Sequence, residues 1–154
     1  MNIADLLTPE RVRCIPEVSS KKRAIELLSD MLSADLPLLA EGEIFDALIA
    51  RERLGSTGLG HGVAIPHGRL AGINEACAAL LKLDQGVDYD APDREPVDIL
   101  FALIVPAQST DEHLRILATL ARMFSETDAL AQLRSTTGTS ALLKLFQGWE
   151  IAHD

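Results

Sequence analysis

Hydrophobic and polar positions alternate along this chain in two distinct periods. Ala24, Ile25, Leu27, Leu28, Met31 and Leu32 follow helical spacing behind Ser19 or Ser20, either of which can serve as N-cap. Ile44, Phe45, Leu48 and Ile49 make the buried stripe of a second helix, from about Glu43 to Arg53. Pro37 falls in the break between the two, and Glu41 and Glu43 suit the second helix's positive N-terminal end. Val12 to Ile15, stopped by Pro16, predicts a first strand after an N-terminal turn that holds Ile3, Leu6 and Leu7. Glu75 to Leu83 is ambiguous by period, but its length and the Asp84-Gln85-Gly86 turn favour a strand. Residues 84–96, with Gly86, Pro92, Pro96 and several Asp, predict a loop or irregular hairpin. Val97 to Val105 is almost unbroken in apolar character, which predicts a central strand covered on both faces.

Three helices should follow. The turn Pro106 to Thr110 leads to a helix capped by Thr110 or Asp111, with Leu114, Leu117, Ala118, Ala121 and Phe124 toward the core. Another starts at Thr127 or Asp128 and runs to about Arg134. The last starts at Thr139 or Ser140 and ends at Gly148, leaving Trp149, His153 and Asp154 peripheral. Short strands mixed with paired helices predict a single α/β domain over 1–154, a three-layer α/β/α sandwich on a small mixed sheet.

One stretch obeys neither period. Leu54 to Gly68 (Leu-Gly-Ser-Thr-Gly-Leu-Gly-His-Gly-Val-Ala-Ile-Pro-His-Gly) holds five glycines in fifteen residues. Glycines permit close backbone approach and let several amide N–H groups turn toward one point, the means by which backbones cradle phosphate. Val63-Ala64-Ile65 is a brief extended segment delivering His67, and Pro66 holds Ile65 extended. His67 is therefore the candidate nucleophile for a phosphoryl group. Ser56, Thr57 and Gly58 are candidate phosphate-binding groups, and Arg51 offers a fork-shaped cation from the last turn of its helix. Arg53, in the same turn, complements the helix dipole. His113 opens a helix directly after a strand and turn, where a neutral imidazole can act as a hydrogen-bond partner. Leu59 and Ile65 are candidates for an apolar docking surface around His67.

Composition narrows the choice. The 154 residues carry a net charge of −9, which argues against a nucleic-acid partner. No apolar run approaches the roughly 18 residues of a membrane span, and the N-terminus lacks a signal-peptide order, so a cytoplasmic protein is expected. Cys14 and Cys77 lie among apolar neighbours and are expected as buried, reduced thiols. The chain has no Gly-x-x-x-x-Gly-Lys-Ser/Thr loop, so the phosphoryl donor is expected to be a phosphoprotein rather than a nucleotide, and no cofactor is called for. A competing reading gives His61, His67 and His113 to zinc, with Asp111 or Glu112 completing the set.

The run Arg51-Glu52-Arg53-Leu54-Gly55-Ser56-Thr57-Gly58-Leu59-Gly60, followed by Gly62-Val63-Ala64-Ile65-Pro66-His67-Gly68, resembles the active-site signature of enzyme IIA of the phosphoenolpyruvate phosphotransferase system. The class is the fructose/mannitol/nitrogen-regulatory one. Val97 to Pro106 followed by His113-Leu114 resembles that family's second block. The resemblance implies a phosphocarrier with His67 phosphorylated on Nε2 by an HPr-like protein, and with Arg51 and His113 as the supporting pair. It departs from the family's pattern at His61, where Asn or another small polar residue is common. The length and the Arg-Glu-Arg-Leu-Gly-Ser-Thr-Gly wording resemble the nitrogen-regulatory branch most. That branch implies regulatory targets, related to nitrogen or potassium, that are bound according to phosphorylation state, and leaves a weak homodimer open. A sugar-specific IIA passing phosphate to a IIB domain is the alternative.

Overall fold

A computed structural model describes residues 3–34, 36, 42–109 and 111–153. The expectations for Pro37, Glu41, Thr110 and Asp154 lie outside the described residues. Helix α1 (Ile3–Leu6) and a 3-10 turn (Pro9–Arg11) lead into strand β1 (Val12–Ile15), then helices α2 (Lys21–Ser33) and α3 (Glu43–Glu52). Ser20 caps α2, its side chain accepting from the amide of Arg23. The glycine-rich stretch folds as β2 (Gly58–Gly60), β3 (Val63–Ala64) and β4 (His67–Leu70). Strands β5 (Cys77–Val87) and β6 (Val97–Pro106) follow, then helices α4 (Asp111–Ser125), α5 (Thr127–Ser135) and α6 (Thr139–His153).

The sheet is mixed, and five of its six described strands run in the order β1-β5-β6-β3-β2, with β4 off that path and paired to β6. β5 and β6 are antiparallel, while β1 runs parallel to β5. β3 and β4 both lie parallel to β6 on the same edge, with Val63 opposite Ile99 and His67 opposite Leu103. They form one extended track interrupted at Ile65-Pro66, where the carbonyl of Pro66 still accepts from the amide of Leu103 at 2.9 Å. Pro66 has no N–H to give a ladder.

Alternation along β6 sorts the core into two layers. Ile99, Phe101, Leu103 and Val105 pack against α1, α4, α5 and α6, whereas Leu100, Ala102 and Ile104 pack against α2 and α3. This is the expected three-layer sandwich. Lys82 is buried on the first face, its amine donating to the carbonyls of Arg134 at 2.8 Å and of Thr136, and so caps the negative end of α5.

Several expectations need correction. β5 continues through Asp84-Gln85-Gly86 to Val87, past the expected turn, with its pairing to β6 shifted between Lys82 and Val87. Cys77 is buried but Cys14 is exposed, because β1 buries one side only at Val12. The core face of α4 is His113, Ile116, Leu120, Met123 and Phe124; Ala118 and Ala121 face outward and Leu114 is 63% exposed. α6 runs on to His153. Trp149 and His153 stack on each other, and both bond to Glu126, at 2.8 Å from the indole nitrogen and 2.8 Å from the imidazole Nε2. They close the end of the molecule against the α4–α5 junction rather than trailing into solvent.

Candidate functional site

The glycine-rich stretch is built as a tight hairpin, not an open loop. His61 and Gly62 connect β2 to β3 with φ of 58° and 82°, and two-residue hairpin loops require such positive values. A side chain at Gly62 would be strained by the positive φ, and its Cβ, 2.5 Å from Nη2 of Arg134 and 2.8 Å from Oδ1 of Asp98, would push that pair aside. Arg134 pairs with Asp98 at 3.1 Å and also donates to the carbonyl of His61. The amide of His61 donates to Oδ2 of Asp93 at 2.9 Å. The histidine at this position is thus a turn residue, one of the few side-chain types enriched at positive φ.

Beyond the hairpin the track reaches His67. Its Nδ1 lies 2.8 Å from the carbonyl oxygen of Ile65. A carbonyl only accepts, so Nδ1 carries the hydrogen and Nε2 keeps its lone pair. Gly68, next in line, lets β4 come close to α3: a Cβ there would meet the carbonyl oxygen of Ala47 at 3.2 Å. His67 and Arg69 share one face of β4, and both meet His113 from α4. The two imidazoles lie 5.5 Å apart at 70°, edge to face. Nε of Arg69 donates to Nδ1 of His113 at 3.3 Å, which leaves the hydrogen of the neutral His113 ring on Nε2. That Nε2 is buried and has no hydrogen-bond partner among the described residues. An unpaired buried donor costs about 1–3 kcal/mol, so such a group calls for a reason.

Arg51 lies in the last turn of α3, its guanidinium 2.9 Å from the carbonyl of Gly55 and near enough to act on His67. Burial pushes the His67 imidazole below the usual histidine value of 6.5. The carbonyl of Ile65 opposes that shift, Arg51 adds to it and Glu52 opposes it. His113 is lowered as well, first by burial, then by His67 and Arg69. Its neutrality thus comes mainly from its surroundings.

Both shifts fix a sign. A histidine held neutral by the fold takes up its proton more readily when unfolded, so stability falls as the medium acidifies. The contribution of His67 and His113 is full above about pH 6.5 and is lost as pH falls through their lowered folded values. NMR titration should place both midpoints below 6.5, with His67 in the Nδ1–H form above its midpoint. The unfolding midpoint should drop between pH 7 and 5, and drop less in His67→Gln.

Not every candidate faces the imidazoles. The hydroxyl of Thr57 donates to Glu52, and its amide lies 3.2 Å from Oε2 of Glu52. The amide of Gly58 is 3.1 Å from the hydroxyl oxygen of Ser56. Thr57 and Gly58 therefore have their polar groups engaged inside the hairpin, and Ser56 keeps a half-buried hydroxyl with its hydrogen free to turn. Ile65 is 3% exposed and cannot dock a partner, whereas Leu59 is 44% exposed, as the docking expectation requires. The structure adds Leu54 and Leu114, at 84% and 63% exposed, next in sequence to the Arg51 turn and to His113. Of the zinc set only His67 and His113 come together; no group of three or more His, Cys, Asp or Glu side chains suited to a metal occurs among the described residues. Arg69 has no signal in the sequence except its spacing two residues after His67.

Residues 5–148 match the family model described as phosphoenolpyruvate-dependent sugar phosphotransferase system, EIIA 2. The chain is 42% identical over 145 residues to a nitrogen regulatory protein of Pseudomonas aeruginosa, covering 94% of each. It is 33% identical over 137 residues to a fructose-specific EIIA component of Haloferax volcanii, covering 86% of this chain and 88% of the other. In structure it is similar to nitrogen regulatory protein IIA-Ntr from Neisseria meningitidis, with a TM-score of 0.88 and 39% identity over 94% of this chain and 98% of that one.

Proposed function

The chain belongs to the phosphoenolpyruvate-dependent sugar phosphotransferase system EIIA 2 family, and from that premise we propose that it is a cytoplasmic phosphohistidine carrier of the nitrogen-regulatory kind. The observation that carries this reading is the bond from Nδ1 of His67 to the carbonyl of Ile65, which leaves Nε2 unprotonated for attack. A phosphorylated histidine on an HPr-like protein is the donor. Nε2 of His67 bonds to phosphorus as the nitrogen–phosphorus bond of the donor breaks, and the donor imidazole leaves with the electron pair. Transfers of this kind rest on positioning and on neutralising the phosphoryl oxygens. Arg51 supplies positive charge, the buried N–H of His113 Nε2 finds its missing acceptor in a phosphoryl oxygen, and Ser56 supplies a hydroxyl. Regulatory targets then bind one phosphorylation state in preference to the other. The higher identity to a nitrogen regulatory protein than to a fructose-specific component favours this branch over sugar transport.

The test is incubation with a phosphorylated HPr-like carrier. Uptake of acid-labile, base-stable phosphate is expected, and no uptake would refute the reading. Docking is tested separately. Leu59 and Leu114 are exposed, so Leu59→Asp and Leu114→Asp should leave the unfolding midpoint unchanged. Each should slow transfer about tenfold, the effect of losing roughly 1.4 kcal/mol at an interface. Wild-type kinetics in both variants would remove these residues from the docking face.

A further inference from the structure

Beneath the hairpin lies a buried polar cluster that the transfer chemistry does not use. Glu52, the last residue of α3, has a carboxylate whose side chain is only 4% exposed. Oε2 pairs with Nζ of Lys21 at 3.0 Å and accepts from the amide of Thr57 at 3.2 Å. Oε1 accepts from the hydroxyl of Tyr89 at 2.9 Å and from that of Thr57. Lys21 also sits 4.4 Å above the Tyr89 ring. Every oxygen of this carboxylate is spent, and its charge is matched by one lysine. These contacts tie the end of α3, the start of α2 and the hairpin into one unit.

The unit has an output. The carbonyl of Thr57 accepts from the amide of Ile65 at 3.1 Å, and Ile65 is the residue whose carbonyl holds Nδ1 of His67. Pro66 follows Ile65, so its ring restricts the one residue between the holding carbonyl and the imidazole. The chain of contacts therefore runs from Lys21 at the start of α2, through Glu52 at the end of α3 and Thr57 in the hairpin, to Ile65 and the ring. It begins on the helical layer opposite α4.

We propose that Glu52, charge-matched by Lys21 and braced by Tyr89, is a positioning residue that fixes the ring orientation and Nδ1–H form of His67 through Thr57 and Ile65. Glu52 does not touch the reacting atoms. It anchors the hairpin from which the carbonyl of Ile65 is presented. The identity of its polar atoms therefore matters more than its charge. In Glu52→Gln the amide oxygen can still accept from Thr57, while the NH2 group meets two hydroxyls that can accept. In Glu52→Ala, Thr57 and Tyr89 lose their common partner.

The proposal rests on His67 being the phosphoryl acceptor, and two readouts keep the two ideas apart. Nitrogen-15 NMR of the His67 ring reports its tautomer without any phosphate present. Wild type should show Nδ1–H, Glu52→Gln the same, and Glu52→Ala a mixture of both neutral tautomers. Transfer from the phosphorylated carrier should fall about 10- to 100-fold in Glu52→Ala, the range expected when a reacting group is misplaced by an ångström or less, and stay within about threefold of wild type in Glu52→Gln. Tyr89→Phe removes the hydroxyl's bonds to Glu52 and Thr57 but leaves the carboxylate on Thr57, and should give a smaller change of the same kind, which covers the case in which Glu52→Ala does not fold. A pure Nδ1–H signal in Glu52→Ala, or in Tyr89→Phe if only that variant folds, would overturn the proposal. So would transfer in Glu52→Gln as slow as in Glu52→Ala. Absence of transfer in wild type, with the tautomer pattern as expected, would instead overturn the carrier reading alone.

Discussion

Replacing His67 with alanine is expected to bring phosphoryl uptake to background while the fold stays in place. Among the described histidines, only His67 has Nδ1 held by a backbone carbonyl beside a second imidazole with Nε2 left as an acceptor. His113 is neutral too, but its accepting nitrogen is occupied by Arg69 and its other nitrogen carries hydrogen and is buried. His61 belongs to the hairpin turn, and His153 is tied by both ring nitrogens, to Glu126 and to the carbonyl of Trp149. The structural cost of His67→Ala is small. One bond to the carbonyl of Ile65 is lost, about 1 kcal/mol, and the backbone ladder of β4 with β6 does not involve the side chain. Labelled phosphate counted after incubation with the phosphorylated carrier is the measurement, with circular dichroism as the control on folding. Uptake at the wild-type level would mean that another residue is the acceptor, and the roles given to Arg51 and His113 would fall with it.

The sequence disclosed this site because its parts are adjacent along the chain. Arg51, the glycines, Pro66 and His67 fall within eighteen residues, and the backbone chemistry of glycine and proline is written in their identity. The central strand was legible for a similar reason, since a run covered on both faces needs no partner to be recognised. What lay beyond reach depended on contacts distant in sequence. Glu52 reads as an ordinary residue in a helix's last turn until Tyr89 and Lys21 close around it. Thr57 reads as a phosphate ligand until that carboxylate claims its hydroxyl.

Helix α4 shows the limit most clearly. Leu114, Leu117, Ala118, Ala121 and Phe124 make an apolar stripe as regular as the true one, which keeps only Leu117 and Phe124 of them, and periodicity alone cannot choose between the two. The face that turns inward carries a histidine, which a hydrophobic pattern counts against burial. The helix is rotated so that His113 meets His67 and Arg69, and Leu114 is left in solvent beside them. In the proposed carrier, the same rotation would both bring His113 to the phosphoryl group and leave an apolar residue exposed for docking.

An aromatic cluster packs the end of α4 onto the sheet beside Ile116, Leu120 and Met123, and its removal should give the largest loss of stability. Phe101 on β6 is fully buried, with ring centroids 6.2 Å from Phe124 on α4 and 5.7 Å from Phe146 on α6. Phe124 and Phe146 also meet, at 6.5 Å and 85°. Phe101→Ala removes the ring common to two contacts and opens a hole under both helices. Such truncations cost about 3–5 kcal/mol, a large share of the roughly 5–15 kcal/mol that holds a domain folded. For a chain of this size the unfolding midpoint should fall by about 6–20 °C, measured by circular dichroism. Phe101→Leu fills most of the space and should recover more than half of that loss. Because α4 carries His113, phosphoryl uptake by Phe101→Ala should also weaken several degrees below its own midpoint, before global unfolding begins. A midpoint within about 2 °C of wild type would show that the helical layer keeps its grip on β6 without the shared ring, and that the placement of His113 has another source.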